Sequence, residues 1–75
     1  MRTIFLHGKA LSFDDELIDK LESYTGQSFE QLSCSYLRMG YHNSDVEQIC
    51  KTHTEAELSA KIKNYISAEL SLYEE

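Results

Sequence analysis

The 75-residue sequence contains no proline, no tryptophan and only two cysteines. Two cysteines are too few for a disulfide framework. No apolar run approaches the roughly 20 residues of a membrane span. The N-terminal residues lack the apolar stretch of a secretory signal. We therefore expect a cytoplasmic protein whose thiols are reduced.

Basic residues are also scarce, since seven lysines and arginines stand against thirteen acids and give a net charge of −6. Binding to nucleic acids or anionic membranes depends on cations that neutralise phosphates. The composition therefore disfavours direct nucleic-acid and membrane binding. It is compatible with a basic protein partner, including one that itself binds nucleic acid.

The length allows one domain, which we expect to span residues 1–75. A chain this short buries only ~60% of the surface that its unfolded form exposes, so its core is marginal. Homodimerisation would add buried surface, and it is one of the partner arrangements that we expect.

The longest periodic segment covers residues 54–73 and contains neither glycine nor proline. Thr54 and Glu57 fit a capping box at its start. Apolar residues then recur at three- and four-residue spacing, which predicts a helix with one buried face: Leu58, Ile62, Tyr65, Ile66 and Leu70. Glu69 falls inside this stripe, and burying an unpaired acid is unfavourable. We therefore expect residues 58–66 in the core and residues 69–73 at the domain edge, against solvent, a second copy or a partner.

The first residues are rich in β-formers and predict a single strand over residues 1–7, which must pair with another segment or a second copy. Ser12 is predicted to begin a helix, which Gly26 ends in a left-handed conformation. The buried stripe of this helix is predicted to contain Phe13, Leu17, Ile18, Leu21 and Tyr24.

The middle of the chain is ambiguous. Ser28 and Gln31 fit a capping box and Gly40 fits a helix end, but residues 31–42 also alternate like a strand. A short helix is predicted to follow a capping box at Ser44 and Glu47. The predicted fold is mainly α, with three to four short helices and one N-terminal strand. The alternative is a small α+β fold in which residues 31–42 form a second strand.

The first predicted helix carries the densest acidic surface, relieved only by Lys20. Carboxylates on a rigid helix can occupy the arginine and lysine sites of a basic partner and attract it at long range. Tyrosines at the ends of elements suit an interface because they combine a large rigid ring with a polar tip. The predicted partner-binding residues are Asp15, Glu16, Asp19, Glu22, Tyr41, Glu69 and Tyr73.

Other chemistry is weakly represented. Two thiols and two imidazoles could hold zinc, but their spacing is not that of known zinc fingers; these residues are Cys34, His42, Cys50 and His53. The segment from His7 to Lys9 lacks the glycines of a phosphate loop. No nucleophile with its base is visible. We therefore expect no catalytic site, no metal and no cofactor.

These patterns favour a non-catalytic, acidic protein-binding module, a regulator or inhibitor of a larger basic protein, a class that includes proteins that handle nucleic acid. Small acidic chains without a catalytic, metal or cofactor site are typical of phage or plasmid inhibitors. The first alternative is a helical DNA-binding regulator with a helix-turn-helix, although only Arg38 and Lys51 would face the groove. The second alternative is a structural zinc domain.

Overall fold

The computed structural model describes residues 1–74. They form a β-hairpin followed by four helices, so the prediction of a mainly α fold is confirmed. The elements in chain order are β1 (Arg2–Leu6), β2 (Lys9–Phe13), α1 (Asp15–Thr25), α2 (Phe29–Tyr41), α3 (Val46–Thr52) and α4 (Glu55–Tyr73).

The N-terminal strand has its partner within the chain. β1 pairs antiparallel with β2 across a two-residue turn, with Leu6 opposite Lys9. His7 and Gly8 both have positive φ, 47° and 86°, as a type I′ hairpin turn requires. The prediction of a single strand missed β2, and the alternative that placed the second strand at residues 31–42 is wrong because that segment is almost entirely α2.

The predicted start of the first helix is also wrong. Asp14, not Ser12, is the N-cap, and its side chain accepts the Glu16 amide at 2.8 Å. Phe13 therefore belongs to β2, where its side chain is buried. Leu17 and Tyr24, predicted to be buried, are 36% and 41% exposed. Gly26 ends the helix in a left-handed conformation, as predicted.

Local capping signals place α2 and α4, whereas α3 is capped by Asp45, which accepts the Gln48 amide, and not by the predicted Ser44. The capping boxes of Ser28 with Gln31 and of Thr54 with Glu57 are both present. Gly40 does not end α2, which continues to Tyr41. A Cβ at residue 40 would lie 2.7 Å from Cδ of Lys61, so this glycine allows α2 and α4 to approach closely.

The core lies along α4, which packs against α1, α2 and β2. The buried residues of α4 are Leu58, Ile62, Ile66 and Leu70. Residues 58–66 therefore supply core side chains, as predicted. The hairpin contributes Ile4 and Leu6 from β1 and Leu11 and Phe13 from β2. The odd-numbered side chains Thr3 and Phe5 lie on the solvent-exposed face, as the two-residue period of a strand dictates.

Candidate protein-binding surface

The acidic side of α1 is exposed to solvent, and we call its four carboxylates the acidic surface: Asp15, Glu16, Asp19 and Glu22. The helix is held rigidly because Ile18 and Leu21 on its opposite side are fully buried. The Asp15, Glu16 and Asp19 side chains are 60%, 79% and 72% exposed. These three carboxylates can therefore meet a partner without any change in the fold.

Cations of the chain lie close to every member of the acidic surface. The Met1 amino group lies 3.5 Å from Asp15, and the Lys20 ammonium lies 4.0 Å from Glu16. The Arg2 guanidinium lies 3.6 Å from Asp19 and 3.1 Å from Glu22. Exposed pairs of this kind contribute only ~0–1 kcal/mol, so a partner cation can displace or share them.

Glu22 has an additional structural role. Its Oε2 accepts the main-chain N–H of Phe29 at 2.8 Å, while its Oε1 accepts a hydrogen bond from Arg2. Phe29 is the first residue of α2, where the helix itself offers no partner for the amide. Both oxygens of Glu22 are therefore engaged within the chain, and its carboxylate is 33% exposed.

Tyr73, at the end of α4, contacts α1. Its ring stacks on Tyr24 with centroids 5.0 Å apart. The Tyr24 hydroxyl donates to Glu74 at 3.1 Å, and Lys20 lies 3.3 Å from the same carboxylate. The hydrogen bond to Glu74 raises the pKa of Tyr24. The end of α4 is thus covered by α1, although Tyr73 keeps 48% of its surface exposed.

Glu69 faces α2 and is half-buried, so it does not sit fully inside the core. It lies close to Tyr36, whose buried hydroxyl makes no hydrogen bond within the described residues. Burial, together with the nearby Glu69 carboxylate, raises the pKa of Tyr36 to about 12. Leu70 beside it is buried. The expectation that the chain would leave this end of α4 uncovered is therefore only partly met.

Tyr41 is separate from the acidic surface. Its ring lies 4.1 Å from that of His53, and the Lys61 ammonium lies 5.0 Å from its centroid. It is half-buried against the core. Of the predicted partner-binding residues, the structure brings together only the four α1 acids; Tyr73 stacks on Tyr24, and Tyr41 and Glu69 lie in other contacts.

The four zinc candidates do not form a metal site in the described part of the chain, where no three suitable side chains converge. The His53 Nδ1 lies 2.8 Å from the Ile49 carbonyl oxygen instead. Burial raises the pKa of both Cys34 and Cys50, which keeps the thiols protonated. Neither cysteine therefore resembles an activated nucleophile.

The helices considered for a helix-turn-helix are α2 and α3, which are in contact. Arg38 is exposed on α2, and Lys51 on α3 lies 3.6 Å from Glu47. Lys51 is thus already beside an acid.

Within residues 1–74, no helix is both long and apolar enough to cross a membrane.

Sequence reasoning missed the surface around the hairpin. Phe5 is 73% exposed on β1, and an open depression of about 360 Å³ lies between the start of β1 and α1. Its lining residues are Met1, Arg2, Asp15 and Asp19. The sequence feature that could have predicted the hairpin is the pair His7 and Gly8, which favours a hairpin turn less strongly than Asn-Gly does.

Compared with known proteins, the chain matches no family model, no curated protein and no solved structure. The function must therefore be argued from the surface and the charge of the chain itself.

Proposed function

We propose that this chain is a non-catalytic protein-binding module, a regulator or inhibitor that docks on a larger basic protein. The observation that carries the proposal is the acidic surface of α1. Three of its carboxylates are more than half exposed on a helix anchored by buried residues. A rigid display loses little conformational freedom on binding, which favours association.

The charge of the whole chain supports the same function. A net charge of −6 attracts a basic surface at long range and accelerates association. The carboxylates can meet arginine or lysine side chains that otherwise contact phosphates, because a carboxylate accepts paired hydrogen bonds from a guanidinium. A basic protein that handles nucleic acid is the partner class with such a surface.

Glu22 is not part of the proposed contact, because its oxygens already bind Arg2 and the Phe29 amide. The electrostatic contact is assigned to Asp15, Glu16 and Asp19. Tyr73, half-exposed where it stacks on Tyr24, supplies a separate aromatic surface at the end of α4.

The test is capture from a cell lysate with two double variants of equal net charge. One variant carries Asp15→Lys with Asp19→Lys. The matched control carries Glu30→Lys with Glu47→Lys, at exposed positions in the first turns of α2 and α3. We expect the wild type and the control to retain the same basic protein and the first variant to lose it. Equal capture by both variants, with both folded by circular dichroism, would contradict the proposal.

A further inference from the structure

The free edge of the hairpin is defined by its hydrogen-bonding pattern. The Ala10 amide donates to Oε2 of Glu55 at 2.6 Å, so it points away from β1 and towards α4. Ala10 is opposite Phe5, and that pair is therefore a non-hydrogen-bonded one. Because pairs alternate along an antiparallel ladder, Thr3 opposite Ser12 is another. The main-chain N–H and C=O groups of Thr3 and Phe5 must then point outwards along β1.

Within residues 1–74 these four groups make no intramolecular hydrogen bond. Natural edge strands are protected by charged side chains, proline, bulges or a covering element. β1 contains no proline, and its single charged side chain, that of Arg2, is paired with Asp19 and Glu22. Phe5 is 73% exposed instead. On β2 the outward Ala10 amide is bound by Glu55, whereas within the described residues none of the outward groups of β1 has such a partner.

Carboxylates of α1 lie beside this edge. The Arg2 side chain lies on the same face of β1 as the buried Ile4 and Leu6. Because it pairs with Asp19 and Glu22, α1 lies against that face at the start of β1. The open depression between them includes Asp15. A strand added beside β1 would direct alternate side chains to this inner side and the others to the side of Phe5.

From this arrangement we propose that β1 binds an extended segment of the basic partner as a third strand. Alternate lysine or arginine side chains of the segment meet Asp15 and Asp19, and the apolar residues between them pack beside Phe5. Main-chain bonds to Thr3 and Phe5 supply the affinity and the side chains the specificity, as in other cases of strand addition. A second copy of this chain fits less well, because it would bring its own acidic α1 towards the same carboxylates.

The proposal rests on the proposed function and specifies the form of the partner. It is tested with a capped seven-residue peptide of alternating valine and lysine, whose binding is followed by calorimetry. Two further peptides are N-methylated, one at every valine and the other at every lysine. Only one set of amides can face β1. We expect one methylated peptide to bind at least tenfold more weakly and the other to bind like the parent.

A protein variant gives an independent readout. Phe5→Pro removes an outward N–H that the hairpin does not use, and proline is tolerated on edge strands. We expect Phe5→Pro to bind the parent peptide at least tenfold more weakly than Phe5→Ala, which loses the same ring but retains the N–H. Should Phe5→Pro fail to fold, the methylated peptides still decide the matter on the wild type.

Other outcomes overturn the strand-addition proposal. Equal binding of all three peptides would show attraction by charge alone, and no binding of any would show that β1 does not accept this class of segment. Self-association of the wild type that Phe5→Pro abolishes would assign the edge to a second copy. In each case the lysate capture with the α1 variants separately decides whether the acidic surface binds a basic protein.

Discussion

At the scale of single residues, Glu22 connects two distant parts of the chain. Its carboxylate accepts hydrogen bonds from Arg2, the first residue of β1, and from the amide of Phe29, the first residue of α2. We expect Glu22→Ala to lower the free energy of unfolding by about 1–2 kcal/mol, since bonds to a charged group are stronger than neutral ones but this carboxylate is partly solvated. Urea denaturation measures the change. Glu16→Ala is the matched control, and it should stay within ~0.5 kcal/mol. Equal losses would mean that Glu22 is only another surface acid.

Tyr36 carries a prediction at high pH. Its pKa is raised to about 12, mainly by burial. In the unfolded chain a tyrosine ionises near pH 10, so between about pH 10 and 12 the folded state retains a proton that the unfolded state has lost. Below pH 10 the ionisation of Tyr36 therefore does not affect the free energy of unfolding. Between pH 10 and 12 it lowers that free energy by about 1.4 kcal/mol per pH unit.

The variant Tyr36→Phe isolates that contribution. Its decline in stability between pH 10 and 12 should be smaller by about 2–3 kcal/mol in urea titrations, because the other tyrosines titrate in both proteins. At pH 7 it should be as stable as the wild type or more so, since the hydroxyl is buried without a hydrogen-bond partner. A clear loss at pH 7 would indicate a stabilising bond from Tyr36 to Glu69.

At the scale of elements, the starts of α2 and α4 were predictable, whereas the N-cap of α3 and the strand pairing were not. Capping depends on residues within three positions, so Ser28 and Thr54 reveal their helices locally. The start of α1 was misassigned because Ser12 and Asp14 are both good N-cap residues, and only pairing with Thr3 places Ser12 in a strand. Side-chain oxygens of Thr3 and Ser12 lie 2.8 Å apart across that pair.

The hairpin turn gives a prediction at the element scale. Gly8 has φ 86°, and a Cβ there would meet no atom within 4 Å, so any effect of a side chain is conformational. We expect Gly8→Ala to lower the free energy of unfolding by about 1–2 kcal/mol, the penalty of a left-handed residue. Gly8→Asn should be milder because asparagine adopts positive φ more readily. Thermal unfolding of both variants checks this, and an equal effect would point to another cause.

The last turn of α4 provides a second prediction at this scale. Tyr73 stacks on Tyr24, whereas its neighbour Leu72 is 73% exposed. We expect Tyr73→Ala to lose about 1 kcal/mol of stability and Leu72→Ala less than ~0.5 kcal/mol. Hydrogen exchange of the amides in residues 70–73 should accelerate only in the first variant. Equal acceleration in both would mean that the stack on Tyr24 stabilises this turn no more than Leu72 does.

The candidate surface was predictable only where it depends on charge. The exposure of Asp15, Glu16 and Asp19 follows from helical periodicity. The engagement of Glu22 by Phe29 and the edge of β1 depend on contacts between segments far apart in the sequence. Periodicity within one element contains no information about such contacts.

At the scale of the whole molecule, the net charge of −6 has a measurable effect on stability. The longest dimension is 34 Å, and the screening length is ~30 Å at 0.01 M salt but ~10 Å at 0.1 M. Like charges therefore repel across the whole folded chain only at low salt, whereas the unfolded chain spreads them apart. We expect NaCl between these concentrations to raise stability by about 0.5 kcal/mol, or roughly 2–4 °C in Tm.

The opposing contribution comes from the exposed ion pairs, such as Arg2 with Asp19, which salt weakens. Each contributes at most ~1 kcal/mol, so net repulsion should dominate. Thermal melts of the double variant Glu30→Gln with Glu47→Gln, which has two fewer negative charges, should show a smaller response to salt. A fall in Tm of the wild type on adding salt would show that the pairs around α1 outweigh the net charge. Those pairs would then also resist displacement by a basic partner.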